Sequence, residues 1–156
     1  MSRMPQPGEK APLVEGETYG GERLSVGDYI GKNVVVLYFY PRDNTPGCTK
    51  EACSMRDGME RLRELGVQVI GVSTDSVASH ERFRDKYGLN FPLLSDKDRN
   101  IVRAYGVESE KGTARRVTFL IDKDGVVRHV WTKVNTAGHA DEVLQKIEEL
   151  GLAKES

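Results

Sequence analysis

Cysteine is scarce in this chain and histidine nearly so: there are two cysteines and three histidines among 156 residues. Two cysteines cannot build the disulfide framework of a small secreted domain. Their spacing, Cys48-x4-Cys53, fits neither the C-x2-C redox motif nor the paired ligands of a zinc site. His80, His129 and His139 stand far apart without ligand spacing, so no metal site is expected and all three read as surface residues. Long apolar runs are missing as well. No stretch approaches the roughly 18 apolar residues of a membrane-spanning helix. Nor is there a strong charge of either sign. A formal net charge of −1 lacks the basic field that engages nucleic-acid phosphates. Met1 to Lys10 is polar and contains proline, without the apolar core of a signal peptide, and a cytoplasmic address is the expectation.

What is present suits one charged, water-facing unit. A hydrophobic content of 38% against 30% charged residues, over this length, is enough for one core, so residues 1–156 are expected to form a single domain. Val34 to Phe39 is an unbroken apolar run and predicts a buried strand. A helix is expected from Thr49 to Leu65, stopping before Gly66, with Met55, Met59 and Leu62 on its core side. Val67 to Val72, rich in β-branched residues, predicts a second buried strand. Ser76 can cap a helix holding Phe83 and Tyr87, ended by Gly88. Ser95 can cap a shorter one through Ile101 and Tyr105, ended by Gly106. Val117–Ile121 and Val126–Trp131 flank Asp124-Gly125, a hairpin turn. The last helix carries Val143, Leu144, Ile147 and Leu150 and ends at Gly151. Residues 1–32 look irregular apart from one short hairpin around Gly20-Gly21, and Asp96-Lys97-Asp98 reads as solvated charge. Strands alternating with helices imply parallel pairing, with the closing hairpin as an antiparallel edge. The expected fold class is therefore α/β: a thioredoxin-like fold whose central mixed sheet has helices on both faces, with an N-terminal hairpin extension.

Both cysteines fall within one segment, Tyr40 to Cys53. Cys48 sits where a strand hands over to the first turn of a helix, the place where a thiol is most easily held as a reactive thiolate. Pro41-x-x-x-Thr45-x-x-Cys48 resembles the signature of the peroxiredoxins. The fuller run Phe39-Tyr40-Pro41-Arg42-Asp43-x-Thr45-Pro46-Gly47-Cys48-Thr49-x-Glu51-Ala52-Cys53 is similar to their PrxQ, or bacterioferritin comigratory protein, subfamily. Gly8-x-x-Ala11-Pro12 and Arg116-Val117-Thr118-Phe119-Leu120-Ile121-Asp122 extend the resemblance over nearly the whole chain. Leu13-Val14 stands where the subfamily carries Asp-Phe, a departure in the hairpin rather than in the chemistry.

The resemblance implies a thiol peroxidase that needs no haem, metal or other cofactor and reduces hydrogen peroxide and organic hydroperoxides. It assigns the attack to Cys48. Thr45 would accept a hydrogen bond from the peroxide and donate one to the sulfur, and the N–H groups of Gly47 and Cys48 would donate. Pro41 would close the pocket against water. Arg116 is carried over from the family as a contact to sulfur and peroxide, with Glu51 holding it in place; strand alternation sends Arg115 to the opposite face. A thiol with pKa about 8.5 gains only about 30-fold, roughly 2 kcal/mol, from full ionisation at neutral pH. Enzymes commonly supply about 8 kcal/mol or more. Orientation of the peroxide and stabilisation of the departing oxygen must provide the rest.

The sulfenic acid formed on Cys48 needs rescue, and Cys53 is the only candidate within the chain. On a regular helix, residues five apart have Cα atoms about 8.7 Å apart, beyond the roughly 7 Å that a disulfide tolerates. The pair can therefore join only if the helix start unwinds. A thioredoxin-like dithiol protein is the implied reductant, and the chain is expected to act as a monomer. One rival, a disulfide reductase, requires a C-x2-C pair that this sequence lacks. The other is a non-enzymatic peroxide sensor or holdase that uses the same cysteine.

Overall fold

In a computed structural model that describes residues 3–152, the chain opens with β1 (Glu15–Glu17) and β2 (Arg23–Ser25). There follow β3 (Val34–Phe39), α1 (Pro46–Glu64), β4 (Val67–Ser73), α2 (Val77–Tyr87) and β5 (Leu93–Ser95). The chain ends with α3 (Asn100–Ala104), β6 (Val117–Ile121), β7 (Val127–Trp131) and α4 (His139–Glu149). The seven strands form one sheet in the order β2-β1-β5-β4-β3-β6-β7. β3 pairs parallel with β4 and antiparallel with β6, and β4 pairs parallel with β5.

This central position explains why Val34 to Phe39 is apolar without alternation. Both faces of β3 are covered, so every residue needs to be apolar. Val36 and Tyr38 point into a core shared with Met55, Met59 and Leu62 of α1, Phe83 of α2, and Val143 and Ile147 of α4. Val35, Leu37 and Phe39 point into a second core with Ile101, Val102 and Tyr105 around α3. Helices thus cover both faces of a mixed sheet, as expected. No helix among the described residues is long and apolar enough to cross a membrane.

The N-terminal hairpin forms where Gly20-Gly21 marks it, both glycines having positive φ (70° and 77°). It joins the main sheet through Glu17 opposite Ser95. Leu13, in the segment that departs from the subfamily, is 58% exposed, whereas Val14 packs partly against the second core. Ser76 caps α2 by accepting from Ser79 N at 3.1 Å, and Gly88 ends that helix at φ 63°. α1 begins at Pro46 rather than Thr49, because a proline at the first helical position supplies the needed φ and loses no bonded N–H.

Two expectations are corrected around α3. Ser95 does not cap it; Ser95 ends β5 and donates to the Asp75 carbonyl at 2.6 Å. Asp96 is not solvated either, being 4% exposed. Its carboxylate accepts from Ile101 N at 3.0 Å and Val102 N at 2.8 Å, satisfying N–H groups that the helix start leaves open. Asp96→Ala should lower stability by about 1–2 kcal/mol, and Asp96→Asn, which keeps an acceptor, by less. Urea denaturation of the three proteins measures this; equal midpoints would remove the capping role.

Candidate active site

The site is built on a loop fastened from below. After β3, Tyr40 donates through its hydroxyl to Asp43 Oδ1 at 2.6 Å. Asp43 Oδ2 accepts from the Ser79 hydroxyl at 2.8 Å and lies 2.7 Å from His80 Nδ1. His80 Nε2 is 3.0 Å from the Leu94 carbonyl oxygen. Asp75 accepts from Asp43 N at 2.8 Å and from the Ser73 hydroxyl at 2.7 Å. Candidate ligand atoms of Asp43, Asp75 and His80 lie within 4.8 Å of one another, a grouping hidden by their spacing in sequence. Their polar atoms bind each other and neighbouring groups, so the cluster acts as a hydrogen-bonded post under the loop. Asn44 then takes φ 62°, and its side-chain oxygen accepts from the Tyr87 hydroxyl at 3.0 Å.

Thr45 is extended (φ −92°, ψ 157°) and precedes Pro46, the first residue of α1. Cys48 lies in the first helical turn with its side chain aimed inward, and is 1% exposed. Its sulfur accepts from Arg116 Nη2 at 3.3 Å, while Arg116 Nη1 donates to Glu51 Oε1 at 2.7 Å. Cys48 and Glu51, three apart, share a helix face, and the guanidinium fork spans them. Arg116 reaches them from the residue before β6, the strand beside β3. Gly47 leaves the necessary space: a Cβ there would stand 3.1 Å from Arg116 Nη2. Arg115 points elsewhere, donating to the Gly106 carbonyl at 3.1 Å.

The structure therefore brings Cys48, Glu51, Gly47 and Arg116 together. Pro41 lies half-buried at the foot of the loop. The Thr45 hydroxyl donates to the Arg42 carbonyl at 3.0 Å, not to the sulfur as expected; the short route back to its own loop satisfies it. Cys53 is half-buried and, like Cys48, a free thiol. Both stand on the same uninterrupted helix.

Burial dominates the electrostatics. It raises the Glu51 carboxyl to about 7, although the Arg116 charge and hydrogen bond pull the other way. Burial also opposes the charge of Arg116, but the Cys48 sulfur and the Glu51 carboxylate together outweigh it and hold its pKa above the ordinary value. Behind Glu51 stands His139, fully buried. Its Nε2 is 2.8 Å from Thr118 Oγ1 and its Nδ1 is 3.0 Å from Glu142 Oε1. The Trp131 ring meets it edge-on, with centroids 5.6 Å apart.

The surface reading of the histidines is thus wrong for His80 and His139, both fully buried, and holds only in part for His129, which is half-exposed. A signal was available. His80 continues the core stripe of Phe83 and Tyr87 at i+3 and i+7, and His139 that of Val143 and Ile147 at i+4 and i+8.

Comparison with known proteins places this geometry. Residues 7–130 match the AhpC/TSA family. A relative in Coxiella burnetii is 48% identical over 147 residues, covering 90% of this chain and 97% of its own length. Peroxiredoxin Bcp of Escherichia coli K12 is 41% identical over 149 residues, covering 91% of this chain and 95% of its own. The crystal structure of a cysteine-to-serine mutant of Xylella fastidiosa PrxQ superimposes with a TM-score of 0.89 at 34% identity, covering 97% of this chain and 99% of that one. With a thioredoxin-like α/β sheet, a cysteine in the first turn of its longest helix and sequence identity along nearly its full length, the chain belongs to the AhpC/TSA family and is a peroxiredoxin of the Bcp/PrxQ kind.

Proposed function

We propose that Cys48 is the thiol through which this peroxiredoxin attacks its peroxide, and that Cys53 resolves the product. The observation that carries the first part is the 3.3 Å contact from Arg116 Nη2 to Cys48 Sγ in a buried pocket. The cation and the open N–H groups of the first helical turn orient the sulfur and face the place where charge moves during attack. The sulfur's electron pair becomes an S–O bond, the O–O bond breaks, and an alkoxide or hydroxide leaves and takes a proton. Gly47 N–H, Cys48 N–H and the Arg116 guanidinium are the donors that can meet charge on the departing oxygen. Because the Thr45 hydroxyl proton is already engaged, its role is to accept from the peroxide O–H, and Arg116 replaces it as the donor to sulfur. Pro41 shields the pocket from water.

The second part follows from helix geometry. Cys53 stands about 140° around the helix from Cys48, with Cα atoms about 8.7 Å apart, so attack on the sulfenic acid requires the first turns of α1 to unwind. Support for a bounded unwinding comes from how the rest of the helix is held. The Ser54 hydroxyl accepts from Ala140 N at 3.1 Å, and Arg56 donates to the Tyr87 carbonyl at 2.6 Å. At Gly58 a Cβ would lie only 2.7 Å from that of Ala140, so α4 sits directly against the helix. Residues 46–53 meet α4 more loosely, His139 Nε2 standing 3.9 Å from Glu51 Oε2. Once formed, the disulfide would be reduced by a thioredoxin-like dithiol protein, with the chain working as one monomeric domain in the cytoplasm. A sensor or holdase would use the same thiol but complete a single oxidation without turnover.

Peroxide consumption in the presence of thioredoxin and its reductase separates these readings. Multiple turnovers should be seen, abolished in Cys48→Ser, whereas one stoichiometric event would favour the sensor. Arg116→Gln should slow Cys48 oxidation about 10²–10³-fold in stopped-flow measurements; an unchanged rate would remove Arg116 from the chemistry. Hydrogen exchange of reduced and oxidised protein should show protection lost over residues 46–53 and kept from Ser54 onward. Equal protection throughout would exclude the unwinding.

A further inference from the structure

Glu51 is fully buried, yet only one of its oxygens is paired. Oε1 accepts from Arg116, while Oε2 has no partner among the described residues. A half-paired buried carboxylate is costly, and a proton relieves it. His139 Nε2 lies 3.9 Å from that orphan oxygen. The imidazole is already oriented, because Nδ1 faces the Glu142 carboxylate at 3.0 Å and must donate to it. Nε2 is then left to accept from the Thr118 hydroxyl or to take up a second proton.

The charges around this pair can be counted from every element that packs on it. α1 supplies Cys48 and Glu51, and Arg116 and Thr118 come from the β6 segment. β3 supplies Tyr38, whose buried phenol is held neutral. β7 supplies Trp131, whose ring centroid is 4.5 Å from that of His129. α4 supplies Glu142. Beneath the sulfur, one guanidinium faces two potential anions, the Cys48 thiolate and the Glu51 carboxylate. One added proton, making Glu51 a neutral acid or His139 an imidazolium, brings the summed charge of Arg116, Cys48, Glu51 and His139 to zero.

We propose that His139 is a positioning residue: with Glu51 it holds one proton behind Arg116 while Cys48 is a thiolate, leaving the guanidinium to the sulfur, and releases it when the sulfur is oxidised. This rests on Cys48 being the attacking thiol. In the oxidation the thiolate becomes a neutral sulfenic acid, and the departing alkoxide or hydroxide takes one proton from solvent. Arg116 then keeps an anionic neighbour only if Glu51 ionises, so the pair gives one proton back to solvent and the count balances. Burial pushes Glu51 up to about 7 and His139 below its ordinary value, both favouring the proton on Glu51. A raised carboxyl pKa means that the proton is held below about pH 7 and lost as the pH rises through it. Above that, the carboxylate competes with the sulfur for Arg116.

A Cys53→Ser background isolates the first oxidation. Its rate with hydrogen peroxide should fall on the alkaline side near pH 7, and Glu51→Gln should abolish that fall. His139→Gln should move it to lower pH by up to about 0.3 unit, the two-fold loss that marks the limit of two equally shared proton sites. Infrared spectroscopy gives a readout independent of rate. The reduced protein at pH 6 should show a protonated-carboxyl band that one equivalent of peroxide removes and that Glu51→Gln lacks. No such band, or a midpoint unmoved in His139→Gln while the melting temperature drops, would overturn the proposal. If Cys48 failed to oxidise at any pH, the attacking role of Cys48 would fall instead, and the infrared titration of the reduced protein would still decide where the proton sits.

Discussion

The two-pronged contact of Arg116, with one nitrogen on the Cys48 sulfur and another on the Glu51 carboxylate, is the interaction on which the rest of the site depends. A guanidinium placed between a sheet and a helix loses most of its water and is tolerated only when its donors meet acceptors. Its planar fork suits two acceptors on one helix face in a way that a lysine ammonium would not. Much of the local sequence can be read as serving that placement. Gly47 leaves room for the guanidinium, and the three-residue spacing of Cys48 and Glu51 puts both acceptors on its side. The antiparallel pairing of β6 with β3 brings residue 116 to the start of α1.

The Asp43 cluster does the complementary task from the other side. A cysteine in the first turn of a helix is only as well placed as the loop that delivers it. Here Tyr40, Ser79, His80 and Asp75 all converge on Asp43. The loop is thus tied to α2 and to the end of β4 rather than to α1 itself, so the helix start can change shape without its approach segment moving.

How much of this was legible in the sequence depended on the physical range of each signal. The strand at Val34–Phe39 and the helix carrying Met55 and Met59 declared themselves, because burial on two faces or on one leaves a long pattern. Cys48, Thr45, Pro41 and Arg116 stood out through their coincidence at the spacing of a known motif. β5 did not, because three residues are too short to show a period. Asp96, set among Lys97 and Asp98, looked solvated until the fold turned its carboxylate onto a helix end. His80 and His139 were obscured by their residue type, since a polar ring on an apolar stripe is easily assigned to the surface. The contact of Arg116 with Glu51, 65 positions apart along the chain, was reached through the resemblance, whereas that of Glu51 with His139, 88 positions apart, needed the fold to reveal it.

If Cys53 resolves Cys48 as proposed, the fastening of α1 at Ser54 has a kinetic consequence. It would keep the piece of helix that unwinds down to about two turns, and a segment that short winds and unwinds far faster than a domain. Wound, it would leave the oxidised sulfur facing the peroxide pocket and a second oxidant molecule; unwound, it would bring the sulfur within reach of Cys53. The share of time spent in each arrangement would be a clock set by helix length and by the tie to α4. That clock would bear on how much peroxide the protein withstands before it is irreversibly spent.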